Sequence, residues 1–302
     1  MTAVAVCIPT YRRPEQLAAL LASLVEHARD EAHVIVVDND PAGSAERIVR
    51  PYMDFLPGLI FEVETEPGIS AARNRLVSLA RSLDVEYVAF LDDDQIATPN
   101  WLSNLVATAK AHCADAVAGP IVPVYPDVVP RWIVTGGFFE RPRYTTGTRI
   151  RATGVGNVML KLDALAELEG PFERRFGLTG GEDAHALEQL RRRGIDVIWC
   201  DEAVVHEAVA PARAKVSWLL RRALRSGATY SASLTLLDPR PSQRSARALR
   251  CGARLFQGIA MLPLSLPRGR AAAFGALVCC STALGGLAGL AGFRYEEYGR
   301  AR

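Results

Sequence analysis

The chain is 302 residues long, 49% hydrophobic and almost neutral, with a formal net charge of +2, enough apolar content for one α/β domain plus an appendage. Six cysteines (Cys7, Cys113, Cys200, Cys251, Cys279 and Cys280) show neither metal-ligand nor disulfide-framework spacing, which excludes a cysteine-built metal centre and points to a reducing, cytoplasmic compartment. No internal repeat or low-complexity tract is present, and the first apolar run is too short, and too soon broken by Pro9-Thr10-Tyr11-Arg12, to read as a secretory signal.

The elements follow in order. Val4 to Ile8 reads as a short apolar strand, ended by the polar turn Pro9 to Pro14. Pro14 to His27 reads as a helix, with Leu17, Leu20, Leu21 and Leu24 at helical spacing and proline in its first turn. A second strand, His33 to Val37, runs into Asp38-Asn39-Asp40, and Glu66 to Arg75 forms a turn that opens a helix. Next, Tyr87-Val88-Ala89-Phe90-Leu91 leads directly into Asp92-Asp93-Asp94. Three adjacent carboxylates repel one another unless a cation neutralises them. Mg²⁺ and Mn²⁺ take such oxygen ligands, with substrate phosphates completing the shell. The alternative is a solvated acidic turn that caps a helix at Pro99-Asn100-Trp101. Alternating strands and helices with polar strand ends predict a doubly wound, mostly parallel sheet. Its ligand crevice would run along Thr10, Asp38, Arg73 and Asp92 to Asp94.

Further on, Gly154-Val155-Gly156-Asn157 precedes the apolar stretch Val158 to Leu160. Phe176-Gly177-Leu178-Thr179-Gly180-Gly181-Glu182-Asp183 then places two acids in the first turn of a helix. Helix capping by the macrodipole accounts for one acid there and leaves the second open to other work. His206 ends the apolar pair Val204-Val205. Charge is uneven: residues 1–200 hold 20 basic and 27 acidic side chains and residues 201–302 hold 15 and 6, so net charge moves from −7 to +9. A helix predicted from about Ser242 to Met261 sets Arg244, Arg247, Arg250 and Arg254 on one face and Leu249, Leu255, Phe256 and Ile259 in another sector. Ala271 to Phe293 is uncharged and long enough to cross a bilayer, although rich in glycine and alanine. A basic amphipathic helix beside an apolar one is the pattern of interfacial membrane association, with packing on the catalytic domain as the alternative.

The segments CIPTYRRPEQL, VIVVDND, EPGISAARNR, FLDDDQ and FGLTGGEDAHALEQLRRRG resemble glycosyltransferase family 2 with the GT-A fold, over roughly residues 3 to 232. The likeness is to bacterial exopolysaccharide enzymes of the succinoglycan-assembly type. It implies a catalytic domain at 1–232, with a nucleotide-binding half at 1–110 and an acceptor half at 111–232; beyond the resemblance, the basic and apolar helices described above give a helical membrane-associating region at 233–302. The resemblance further implies an inverting transfer of one sugar from a nucleotide-diphosphate donor to a saccharide, lipid-linked in this setting. Pro9, Thr10, Tyr11 and Arg12 would lie beside the nucleotide, Asp38 either near the base or capping its own turn with Asn39 and Asp40, and Arg73 either at a base carbonyl or phosphate or in a surface salt bridge. The outer pair of the acidic triplet would serve the ribose (Asp92) and a divalent Mg²⁺ or Mn²⁺ (Asp92 and Asp94), with His206 as a third ligand and Asp93 structural. Asp183 would be the general base and Glu182 an acceptor- or sugar-orienting residue. Gln189 to Arg193 falls where processive relatives carry Gln-x-x-Arg-Trp, and Arg193 replaces the tryptophan, so one sugar per acceptor is expected. The expected location is the cytoplasmic face of the bacterial inner membrane, on an anionic surface, with no nucleic-acid partner. A degenerate, non-catalytic membrane scaffold and a nucleotidyltransferase are the competing readings. The second lacks support in the first loop, which has no glycines.

Overall fold

The computed structural model describes residues 3–28, 32–151, 154–166, 168 and 170–296. They form two compact units, one of Met1–Val122, Arg141–Leu178 and Glu182–Glu207 and one of Pro123–Glu140, Thr179–Gly181 and Ala208–Arg302. The last six residues of the region expected at 233–302 lie outside the described set.

In the first unit, β1 (Val4–Thr10), β2 (His33–Asp38) and β4 (Tyr87–Phe90) are buried along nearly their whole length. Side chains alternate across a sheet, and the burial follows that rule. Val4, Val6 and Ile8 of β1, Val34 and Val36 of β2, and Ala89 of β4 enter one core, with Leu17, Leu20, Leu21 and Leu24 of α1 (Pro14–His27) and Trp101 and Leu105 of α4 (Trp101–His112). Ala5, Cys7, Ile35, Val37, Val88 and Phe90 enter a second core, with Leu76 and Val77 of α3 (Ile69–Ala80) and Leu187 and Leu190 of α6 (Glu182–Arg192). A sheet buried on both faces needs strands that are apolar throughout, which is why these segments show no polar alternation.

The eight-stranded sheet has the order β3-β2-β1-β4-β9-β6-β10-β8, where β3 is Ile60–Val63, β6 Ala116–Ala118, β8 Arg149–Ile150, β9 Val158–Lys161 and β10 Val197–Trp199. β1, β2, β3 and β4 pair in parallel, as do β6 and β10, whereas β8 and β9 run opposite to their neighbours. The doubly wound, mostly parallel α/β sheet expected from the sequence is therefore present. The chain winds outward from β1 to β3 and then returns to the other side of β1 as β4. That reversal opens a crevice at the carboxyl ends of β1 and β4, where such sheets bind ligands. A second sheet of three strands, β5 (Gln95–Ala97), β11 (Val205–Ala208) and β7 (Ile121–Val124), begins just past the acidic triplet.

In the second unit, α7 (Val216–Leu237), α8 (Pro241–Ser265) and α9 (Arg270–Leu290) accompany the short helix α5 (Arg131–Thr135). α7 runs continuously through residue 232, the position expected to divide the chain. α9 approaches α7 closely: a Cβ added at Gly285 would lie 1.9 Å from the Leu224 carbonyl oxygen, which only glycine avoids. Phe274 at the start of α9 meets the rings of Trp132 and Phe138 edge-on, at 5.2 and 4.9 Å between centroids. The basic face expected on α8 is only partly a surface. Arg247 is buried, donating to Thr235 Oγ1 and the Asp238 carbonyl, and Arg244 donates to the Leu290 carbonyl at 2.6 Å. Both arginines bond backbone or hydroxyl acceptors of the helical unit, and Arg244, Arg250 and Arg254 are exposed while Arg247 is not. All six cysteines are free thiols.

Candidate active site

The crevice is lined by paired charges, with the guanidiniums of Arg13 and Arg73 set among five carboxylates, Asp92, Asp93, Asp94, Glu182 and Asp183. β1 delivers Thr10 to its rim, and Thr10 Oγ1 donates to Asp93 Oδ2 at 2.9 Å across the switch point. Arg13, in the turn before α1, donates to both Asp93 Oδ1 (2.9 Å) and Asp94 Oδ2 (3.1 Å). Asp93 is 4% exposed. Burial pushes its carboxyl up to about 6, against the opposing charge of Arg13. The middle acid is thus buried and bonded through both oxygens, and Arg13 bridges it to Asp94.

Asp92 turns towards α3. Arg73 Nη2 donates to Asp92 Oδ1 at 2.8 Å, and Arg73 Nη1 meets Glu182 Oε1 and lies 4.0 Å from Asp183 Oδ2. One guanidinium therefore ties the acidic triplet to the Glu182-Asp183 pair. Arg73, expected at a base carbonyl or phosphate, is buried among carboxylates instead, and its ring-side neighbour is Phe172 at 5.7 Å. The two acids it braces differ in setting: the Glu182 side chain is 3% exposed and that of Asp183 is 25% exposed. Burial raises the Glu182 carboxyl above the ordinary range, with Arg73 opposing the shift. Asp183 Oδ1 accepts the Ala184 amide at 2.7 Å, and Oδ2 faces Gly154.

Gly156 lets the backbone approach this network. A Cβ there would sit 2.7 Å from Asp92 Oδ2 and 2.9 Å from Gln95 Nε2. Gln95 is fully buried, and its Oε1 accepts the Asp92 amide. Gln95 Nε2 and Glu182 Oε2 are buried polar atoms with no hydrogen-bond partner among the described residues. Such atoms are costly unless a ligand or water satisfies them. Arg13 and Gln95 are the site residues that sequence reasoning missed. Both stand inside the family-like segments, Arg13 in CIPTYRRPEQL and Gln95 at the end of FLDDDQ, but nothing local marked either as a site residue.

Other expected residues do different work. Both Asp38 oxygens accept backbone amides of the following loop, from Asp40 at 2.9 Å and Ala45 at 2.8 Å, so this carboxylate closes a turn. Arg12 has φ of 53° and pairs with Asp40 at 3.0 Å, and its guanidinium hydrogen bonds hold the Asp40 carboxyl below the usual range. Pro9 is buried and Tyr11 exposed. Asn157 is a structural node: it accepts from Trp101 Nε1 and donates to the Pro120 and Ala203 carbonyls. His206 pairs in register with Ile96, the outward residue of β5, while Gln95 and Ala97 point inward. Among the described residues no three His, Cys, Asp or Glu side chains converge as a metal-holding group. Asp92, Asp94 and His206 therefore do not form the three-ligand cluster that the sequence suggested.

With this geometry in view, comparisons with known proteins are decisive on family. The model of glycosyl transferase family 2 matches residues 5–165. The chain belongs to glycosyl transferase family 2. This family 2 chain is 35% identical over 232 residues to the succinoglycan biosynthesis protein ExoM of Rhizobium meliloti, covering 75% of this chain and 73% of that one. It is also 26% identical over 254 residues to the glucosyl-dolichyl phosphate glucuronosyltransferase of Haloferax volcanii, covering 79% of each. Two solved structures share the fold. One is S. aureus TarS 1–349 in complex with UDP (TM-score 0.57, 16% identity, 98% of this chain and 93% of that chain). The other is the mannosyltransferase PcManGT of Pyrobaculum calidifontis in complex with GDP-Man and Mn²⁺ (TM-score 0.61, 20% identity, 93% and 86%). The resemblance noted in the sequence motifs is thereby established, and the chain is a glycosyltransferase.

Proposed function

We propose that this glycosyltransferase moves one sugar from a nucleotide-diphosphate donor to a saccharide acceptor, with inversion, in the assembly of a bacterial surface polysaccharide. The observation that carries this reading is the meeting of Asp92, Glu182 and Asp183 on Arg73, with Asp183 the partly open acid of the helix pair. A single displacement needs one base opposite the leaving group and no protein nucleophile. Asp183 would do that work, taking the proton from the acceptor hydroxyl as its oxygen attacks the anomeric carbon. Glu182, buried behind it, fixes Arg73 and so the orientation of Asp92. Gln95 Nε2 and Glu182 Oε2 offer a buried donor and a buried acceptor to hydroxyls of a bound sugar. Arg193 in place of an aromatic platform supports a single addition over processive polymerisation.

A divalent cation suits the site in a limited form. Asp92 and Asp94 present two carboxylates near a crevice, and Mg²⁺ or Mn²⁺ is held by one or two carboxylates when phosphates supply the remaining ligands. Bound there, the ion would offset the negative charge that builds on the departing nucleoside diphosphate. Arg13 and Arg73 each hold one of these acids in place for it. Kinship with ExoM supports exopolysaccharide assembly, and the dolichyl-phosphate relative supports a lipid-borne acceptor, which would put the enzyme at a membrane surface. Purified protein incubated with Mn²⁺ and a panel of nucleotide sugars should release nucleoside diphosphate from one of them, and excess EDTA should abolish the release. No release from any donor would sink the transfer reading, and release unaffected by EDTA would sink the metal.

A further inference from the structure

Between Pro239 and Tyr295 the chain contains no aspartate or glutamate but eight arginines. Within that stretch α8 has two opposed sides. Arg247, Gly258 and Ser265 are its buried residues, and at 100° per residue they fall within about 20° of arc. Leu249, Phe256, Ile259 and Leu264 are exposed, and they span about 140° on the opposite side. Leu266, at the C-cap, extends the same exposed set. Leu249 and Phe256 are 76% and 74% exposed, far beyond what scattered surface apolar residues require. Arg250 stands at one edge of this strip, about 40° beyond Leu264, with the exposed Arg254 about 40° further round the helix, and Arg268 and Arg270 stand at its end, in the turn after α8 and as the first residue of α9.

We infer that the outward strip of α8 is a docking face for an anionic phospholipid bilayer. The helix would lie in the membrane plane with Leu249, Phe256, Ile259 and Leu264 among the acyl chains and the arginines at its edge and end at the headgroups. This deepens, and rests on, the membrane-side reading proposed above. Charge selects the occupant. A two-fold partner would set the same strip against itself, bringing arginine to arginine with no acid in the stretch to pair them. An anionic lipid surface complements the same charge, and polybasic segments gain from it within a Debye length. α9 is the alternative anchor, since Arg270–Leu290 is long and apolar enough to span a membrane. Its glycines, however, are already used for close approach to α7 and α8: Gly285 fits against Leu224, and Gly286 against Cys251 of α8. α9 leaves Leu277 and Leu284 39% and 48% exposed, against 76% and 74% for Leu249 and Phe256, so the strip on α8 is the more open apolar surface of the two.

The test uses full-length protein floated with vesicles of phosphatidylcholine alone or containing phosphatidylglycerol, with donor hydrolysis measured on the same preparations. Wild type should float with the anionic vesicles and scarcely with the neutral ones. Phe256→Ser with Ile259→Ser should weaken binding by about tenfold or more, as loss of two buried apolar groups demands. Arg250→Glu with Arg254→Glu should remove the preference for anionic lipid, and neither pair should alter donor hydrolysis. Undiminished flotation of the Phe256/Ile259 variant would overturn the docking face while leaving membrane association standing. A wild type that hydrolyses donor but floats with neither vesicle would overturn both docking and membrane side, leaving sugar transfer intact. Wild-type dimers that the Phe256/Ile259 variant converts to monomers, without flotation, would make the strip a self-association surface and also overturn the inference.

Discussion

Arg73 holds a single positive charge against Asp92, Glu182 and Asp183, and is itself 4% exposed. Removing one member of a buried ion pair leaves the other charge uncompensated, which costs about 3–5 kcal/mol. Arg73→Met should therefore destabilise the protein by about that amount, read from denaturant unfolding. Adding Glu182→Gln to Arg73→Met should recover part of the loss, because the stranded charge is gone. Additive losses in the double variant would mean that the pair does not interact as placed. Asp183 is distinguished by chemistry more than by stability. Asp183→Asn should keep donor affinity, measured by calorimetry, and lower turnover roughly 10²- to 10⁴-fold, the usual contribution of a positioned base. Collapse of donor affinity with turnover preserved at saturation would reassign it as a binding residue. The motifs picked out the acids Asp92, Asp94, Glu182 and Asp183, but not their counter-ion arrangement. Arg73 sits 109 positions from Glu182 in sequence, and no local pattern encodes that meeting. Asp38 likewise carried the expected residue type while its two oxygens were already committed to its own loop.

At the scale of elements, the buried strands were legible and the edge strands were not. β1, β2 and β4 are apolar because both faces are covered, and that composition is visible without a structure. β3 escaped because it is short and only partly buried at the edge beside β2: Ile60-Phe61-Glu62-Val63 is apolar at three positions, but four residues set no period. β8, with two residues, is too short for any period. Helix α6 shows how an element can carry a pH response of its own. Glu188 accepts from Arg191 at 2.8 and 2.9 Å, from Arg192 at 3.2 Å and from Arg151 at 3.0 Å. The Arg191 bonds first, then Arg192 and the charge of Arg151, lower its carboxyl from an ordinary 4.5 to about 2, against the effect of burial. A depressed carboxylate stabilises the fold above its unfolded value and loses that contribution as pH falls towards its folded value. The thermal midpoint should therefore drop between about pH 4.5 and 2 more steeply in wild type than in Glu188→Gln. Parallel curves for the two proteins would remove Glu188 from the acid limb.

For the molecule as a whole, the charge pattern suggested a basic tail appended to a finished catalytic domain, and the helical unit is built otherwise. Its core joins Val129, Ile133 and Phe139 to Val209, Ala214 and Leu219, and to Phe274 of α9. Segments near residues 130, 210 and 274 thus share one apolar cluster, a long-range association that neither hydrophobic periodicity nor net charge can announce. Phe274 is 5% exposed and lies edge-on to Trp132 and Phe138. Replacing a buried phenylalanine with alanine costs about 3–5 kcal/mol through lost transfer energy and the cavity left behind. Phe274→Ala in the full-length chain should accordingly lower the unfolding midpoint, with the drop confined to the transition that also shifts Trp132 and Trp218 fluorescence. A chain ending after Pro239 should fare worse, since it lacks Phe274 and also bares the face of α7 where Gly285 and Gly289 of α9 approach Leu224 and Ala228. Low soluble yield and a broadened transition are expected for it by sedimentation and calorimetry. A truncated protein that stays monodisperse and unfolds at the wild-type midpoint would show instead that α8 and α9 are dispensable to the fold, and would return them to the role of a detachable tail.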